Sequence, residues 1–239
     1  MTQTAPAPFD GVLFDFHLTL IDQGSGRDWI ETAWRRLDRD GSPAATLGSE
    51  RAAELADWLD RIWEHAREID PDSRRDLGPD HHRQVYDDVV KGVPEIDEEL
   101  AASLYETMVE SWIPFDDAVP VLRSLHAHGL KIAVVSNIGI DIRPVLDRAG
   151  LSDLVDAVVM SYEAGVVKPE SAIFERALEL IDVRPERALM VGDSWQDDAG
   201  AARLGIRTLI LPRTTGSSHG LELVLRLVQP VGDQDSPRA

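Results

Sequence analysis

Apolar residues follow two rhythms along this chain, and the change between them divides it. After a polar, proline-containing leader, Gly11 to Phe16 (GVLFDF) is a short apolar run that contains Asp15 near its end and passes into HLTL. Such a run predicts a buried parallel strand delivering Asp15 at its carboxyl end. From there to about Trp112 the spacing is helical, with Trp29, Trp34 and Leu37, then Leu55, Trp58, Leu59 and Ile62 on recurring faces, and no strand is predicted.

From Asp116 onward helix and strand alternate. A helix runs to about His128, then the strand KIAVVSN, a helix from Asp141, the strand DAVVMS and the helix SAIFERALEL. The strand RALMVGDS, the helix DDAGAARLG, the strand RTLILP and a last helix near GLELVLRLV complete the series. Alternation of this kind implies a three-layer, Rossmann-like α/β fold, a mostly parallel sheet with helices on both faces. Residues 1–21 and 113–229 are expected to form that core, 22–112 an inserted all-helical cap, and 230–239 a disordered tail. Ligands of such sheets bind beyond the carboxyl ends of the strands, where Asp15, Ser136, Asn137 and Asp193 all fall.

Composition narrows the chemistry. No apolar stretch approaches the roughly 20 residues of a membrane span, and the start MTQTAPAPFD lacks a basic segment followed by a long apolar one, so a cytoplasmic location is expected. With no cysteine, a metal can be held only by carboxylates, carbonyls or histidines, which favours a hard cation such as Mg²⁺. A formal charge of −19 argues against nucleic acid and anionic membranes as partners. It would also repel a small anion, so a site for one needs local positive charge, and the only lysines are Lys91, Lys131 and Lys168.

Asp15 and Asp193 are two carboxylates at strand ends that could share one cation. Asp198, five residues beyond Asp193 in the turn into the next helix, could point back at the same ion or its waters. Asp197 is better read as a helix cap. Lys168, in GVVKPE, is held extended before Pro169, which is expected to start a helix; its charge would offset repulsion between an anionic nucleophile and an anionic substrate. Ser136 and Asn137 could take phosphate oxygens, although Ser-Asn after a strand is also ordinary turn chemistry.

With these residues in order, DFHLTL at Asp15, SN at Ser136, KP at Lys168 and GDSWQDD at Asp193, the chain resembles the haloacid dehalogenase superfamily, most of whose members are phosphatases. The helical stretch after the first motif resembles that family's helical cap. The resemblance implies in-line attack by Asp15 on phosphorus and an aspartyl-phosphate that water hydrolyses. It implies Mg²⁺ held by Asp15, the backbone carbonyl of His17 and Asp193, with Asp198 acting directly or through water. Lys168 would stabilise phosphoryl charge, and Thr19, Ser136 and Asn137 would supply hydrogen bonds. The implied substrate is a small phosphorylated metabolite, and the expected state a monomer or homodimer.

One position departs from the family. Its phosphatases usually carry a second aspartate two residues after the nucleophile, then glycine; here stand His17 and Leu18. Histidine is a competent acid and base, so His17 is a candidate for the missing role. The alternatives are a silent member that binds a ligand or partner, a dehalogenase, or a phosphonatase, for which Lys91 is the one cap lysine. Dehalogenases generally lose the acidic motif that GDSWQDD retains. Arg27, after the QGSG segment, is a candidate for a substrate carboxylate or phosphate. His81 and His82 read as a solvated face, and most of the six tryptophans as packing, with Trp195 inside the fourth motif.

Overall fold

Apolar runs of four to six residues bury both faces where helices cover a parallel sheet on either side. In the computed structural model, which describes residues 8–228, seven strands occur: β1 (Gly11–Phe14), β2 (Ile21–Asp22), β3 (Ile113–Pro114), β4 (Lys131–Ser136), β5 (Ala157–Met160), β6 (Ala188–Gly192) and β7 (Arg207–Ile210). Five form a parallel sheet in the order β5-β4-β1-β6-β7. Central β1 and β6 are buried at every position, so their sequences read as continuous apolar runs rather than alternating ones. The tail expected to be disordered, 230–239, lies outside the described residues.

Two compact units are distinguished. One comprises the chain up to Ile21, Pro114–Ser136 and the chain from Ile142 onward; the other comprises Asp22–Ile113 with Asn137–Asp141. In the first, helix Ser171–Ile181 lays Ile173, Phe174, Ala177, Leu178 and Ile181 on Leu13, Ala133, Val135 and Val159 of the sheet. Helix Ala118–Ala127 packs on β4 and on helix Glu222–Val228. Just ahead of it, the buried Asp117 carboxylate accepts the backbone N–H groups of His219, Gly220 and Leu221 at 3.1, 2.7 and 2.7 Å. Burial raises its carboxyl, but these three bonds and one from the Ser218 side chain prevail and hold it below the usual range.

The order of the strands sets the site. The chain leaves β1 for β4 and β5 on one side and returns to β6 and β7 on the other, so the sheet reverses beside β1. Phe14 is in register with Val134 and Val191, and Gly192 with Ile210. The residues just past β1, β4, β6 and β7 therefore emerge at one edge, at the switch point where such sheets bind ligands.

The second unit is mainly helical. Helix Gly26–Arg36 is capped by Ser25, whose Oγ accepts the N–H of Asp28 at 3.1 Å. Trp29 and Trp34 of that helix are buried, and Trp29 Nε1 donates to the carbonyl of Leu104 at 2.8 Å. Here one expectation fails: His81 is exposed, but His82 is only 4% exposed. Its Nδ1 lies 2.9 Å from Tyr105 Oη, and its ring tilts against Trp63. Adjacent helical residues point about 100° apart, so the two histidines have different surroundings.

Four boundaries also differ. β2 and β3 pair as a two-stranded sheet at the ends of the stretch read as wholly helical. The segment expected as helix DDAGAARLG is a 3₁₀ helix, Asp198–Leu204, in which Gly200 runs against Pro169, where a Cβ would come within 2.6 Å. The Lys168–Pro169 peptide is cis and the following helix starts at Ser171, not at the proline. The helix expected from Asp141 spans Arg143–Arg148. No helix among the described residues is long and apolar enough to cross a membrane.

Candidate active site

Asp15 follows the last residue of β1, and its N–H continues the ladder to the carbonyl of Val191 at 2.8 Å, which fixes the carboxylate past the end of the sheet. A tight turn follows: the N–H groups of Leu20 and Ile21 reach the carbonyl of Phe16 at 2.9 and 3.1 Å. Leu18 at its apex adopts φ 65°, the left-handed region that glycine fills without cost. The turn brings Thr19 back, so its Oγ1 donates to Asp15 Oδ2 at 2.8 Å.

Lys168 arrives from the loop after β5. Its Nζ donates to Asp15 Oδ1 at 2.6 Å and to Asp198 Oδ1 at 2.7 Å, with the lysine 3% exposed and Asp198 wholly buried. Asp198 Oδ2 accepts the N–H of Ser194 at 2.9 Å. Gly192 makes room for this carboxylate, since a Cβ there would lie 2.0 Å from Asp198 Oδ2. Asp193 follows directly, and Asp15, Asp193 and Asp198 each offer a ligand atom within 4.8 Å of the others.

Three carboxylates this close, out of water, must be compensated. Burial raises the carboxyls of Asp15 and Asp193, and pushes that of Asp198 up to about 6. Lys168 opposes the rise at Asp15 and Asp198. Burial alone would lower the lysine, but the two carboxylates prevail and raise it, so the ammonium stays charged. At Asp193 the opposing cation is one the sequence reading missed: Arg213, from the loop after β7, donates Nε to Asp193 Oδ2 at 2.6 Å. The only sequence signal for it was its place just past a strand end.

His17 lies in the same turn. The residue is partly exposed but its Nε2 is enclosed. Burial, and then the charge of Arg213, bring its pKa down to about 4, so its imidazole is neutral near pH 7. Ser136 is buried at the end of β4. Asn137 and Arg27 belong to the other unit, where Arg27 lines a cavity of about 140 Å³ with Ile30, Pro43 and Ala52. Asp197 heads the 3₁₀ helix and accepts a bond from Ser194 Oγ at 2.8 Å. Trp195, beside these carboxylates in sequence, is 72% exposed.

The donor set fits a hard divalent cation. It consists of carboxylate oxygens just past two strand ends and at the head of a 3₁₀ helix, with no thiolate anywhere in the chain. The chemistry open to the group is nucleophilic attack by Asp15 on an electrophile whose negative charge the cations accept.

A profile of haloacid dehalogenase-like hydrolases matches residues 9–205. The haloacid dehalogenase-like hydrolase domain-containing protein 3 of Danio rerio is 36% identical over 133 residues, 54% of this chain and 55% of that protein. The ribulose-1,5-bisphosphate 5-phosphatase of Halopiger xanaduensis is 35% identical over 113 residues, 46% of this chain and 47% of that one. The chain thus spans about half the length of these curated relatives. Among solved structures, an L-2-haloacid dehalogenase from Xanthobacter autotrophicus matches with a TM-score of 0.63 at 22% identity, covering 93% of this chain and 85% of that one. That is a likeness of fold.

Proposed function

The chain belongs to the haloacid dehalogenase-like hydrolases, and from that premise we propose that it is a Mg²⁺-dependent hydrolase of a small phosphorylated metabolite, acting through an aspartyl-phosphate on Asp15. The observation that carries this reading is the acidic trio Asp15, Asp193 and Asp198 gathered around Lys168. Displacement of halide from carbon builds no phosphoryl charge and requires no cation. A phosphatase needs the trio to hold one.

In this mechanism a carboxylate oxygen of Asp15 attacks phosphorus in line, the bond to the leaving oxygen breaks, and the phosphoryl group passes to Asp15. Thr19 and Lys168 orient the nucleophile from its two oxygens. The ammonium also offsets the repulsion between Asp15 and the incoming anion. Asp15, the His17 carbonyl, Asp193 and Asp198 would hold Mg²⁺, which when bound supplies charge stabilisation for the phosphoryl oxygens. Ser136 and Asn137 would donate to those oxygens.

Water then cleaves the acyl-phosphate and regenerates Asp15. We assign the deprotonation of that water to His17, two residues beyond the nucleophile, whose imidazole is neutral near pH 7 and so can accept the proton; the leaving oxygen takes its proton from solvent. A second reading, a binding protein without turnover, is favoured by one feature, the histidine where phosphatases of this family carry an aspartate.

A panel of phosphorylated metabolites assayed with Mg²⁺ decides between them. Release of phosphate that is lost on chelation and in Asp15→Asn supports the enzyme. No turnover of any member supports the binding protein.

A further inference from the structure

Arg213 takes no part in the scheme above, yet it is bonded to one of the proposed metal ligands. A guanidinium carries five N–H donors in a planar fork. Arg213 uses one of them, Nε, on Asp193 Oδ2 at 2.6 Å; the carboxylate side chain is 5% exposed and the arginine side chain 50%. A buried carboxylate thus anchors the inner edge of the fork on a half-exposed side chain, and the terminal nitrogens make no other hydrogen bond among the described residues. The two cations differ in this: Lys168 is enclosed and engaged by Asp15 and Asp198, whereas Arg213 faces outward.

The loop that carries it is fixed at both ends. Leu211 N–H bonds the carbonyl of Gly192 at 2.8 Å, and the carbonyl of Ser217 accepts Asp116 N–H at 2.7 Å. Asp117 then holds the N–H groups of His219, Gly220 and Leu221. The arginine is therefore set in place before any ligand arrives, which lowers the ordering cost of binding. Its charge also reaches His17, so it stands beside the reacting centre.

We propose that Arg213 is a subsite for a second anionic group of the substrate, a carboxylate or a further phosphate lying next to the phosphoryl group transferred to Asp15. A planar fork with free terminal donors matches both groups through paired hydrogen bonds. In a chain of charge −19 with three carboxylates at its site, that contact selects phosphorylated acids or bisphosphates over neutral monoesters. The assignment rests on the phosphate-hydrolase reading.

The test uses the full chain with Mg²⁺ and two uncleaved probes of equal length, propylphosphonate and 3-phosphonopropionate, titrated by calorimetry. Wild type should bind the carboxylated probe about tenfold or more tighter, the gain of a charged hydrogen bond. Arg213→Gln should remove that preference while holding propylphosphonate affinity within about threefold, and Arg213→Lys should keep part of it. Equal affinity of wild type for the two probes overturns the subsite. So does parallel weakening of both probes in Arg213→Gln, which would make Arg213 a residue that only orients Asp193. Failure of wild type to bind propylphosphonate at all defeats the phosphate-site reading itself, and the subsite with it.

Discussion

Lys168→Met removes the one ammonium lying between two buried carboxylates. In the native site Nζ is 2.6 Å from Asp15 and 2.7 Å from Asp198, with the three residues 3%, 6% and 0% exposed. Methionine fills similar space, so the change is chiefly electrostatic. Removing one partner of a buried pair costs about 3–5 kcal/mol because the remaining charge is uncompensated, and here two charges remain.

The loss should depend on pH with a defined sign. Burial already raises both carboxyls above their unfolded values, to about 6 for Asp198. Without the lysine they rise further, so the folded variant binds more protons than the unfolded one and its stability falls as pH rises. Urea denaturation should therefore show the full deficit at pH 8 and a smaller one at pH 5. A divalent cation that enters the site should restore about 2.7 kcal/mol at a hundred times its dissociation constant. A deficit below about 1 kcal/mol at pH 8, the range of a surface pair, would refute the electrostatic account, as would a deficit that grows toward pH 5.

The neutral, buried His82 has a folded pKa of about 4 against 6.5 unfolded, so its contribution is full above pH 6.5 and is lost as pH falls toward 4. Denaturation of His82→Gln at several pH values should show a flatter acid limb, by up to about 3 kcal/mol; an unchanged slope would contradict the burial. Leu18 holds a left-handed turn at φ 65°. Leu18→Val, β-branched at that angle, should lower stability by about 1 kcal/mol or more, while Leu18→Gly should stay within about 1 kcal/mol of wild type by thermal melting. His17→Ala keeps the backbone carbonyl, so it should leave cation affinity nearly unchanged and cut kcat about 10²–10⁴-fold on a verified substrate; equal rates would remove its proton-transfer role.

The sheet was legible because its central strands are buried on both faces, which writes them as unbroken apolar runs such as GVLF and ALMVG. Asp15 and Asp193 could be picked out because each follows an apolar run at its carboxyl end, and Asp198 because it lies five residues beyond Asp193 in the turn into the next helix. Lys168 stood out as one of few lysines, yet its bond to Asp198 could not be foreseen, for Asp198 heads a 3₁₀ segment whose Gly200 packs on Pro169, a tertiary contact with no local signature. The two-residue strands β2 and β3 were too short to show a period. His82 was misjudged through its neighbour, although Tyr86 and Val90 continue its stripe at four-residue spacing and both are buried. Arg213 left almost no trace, because one arginine after a strand has no periodic signature and its partner lies 20 residues away.

The most direct test of the central claim is mass spectrometry of the peptide that contains Asp15, after rapid acid quench of the enzyme turning over a phosphorylated substrate with Mg²⁺. A phosphoryl adduct on Asp15, present during turnover, absent after chelation and absent in Asp15→Asn, is the predicted result. Turnover that proceeds with Asp15 unmodified, or that survives Asp15→Asn, would contradict the account.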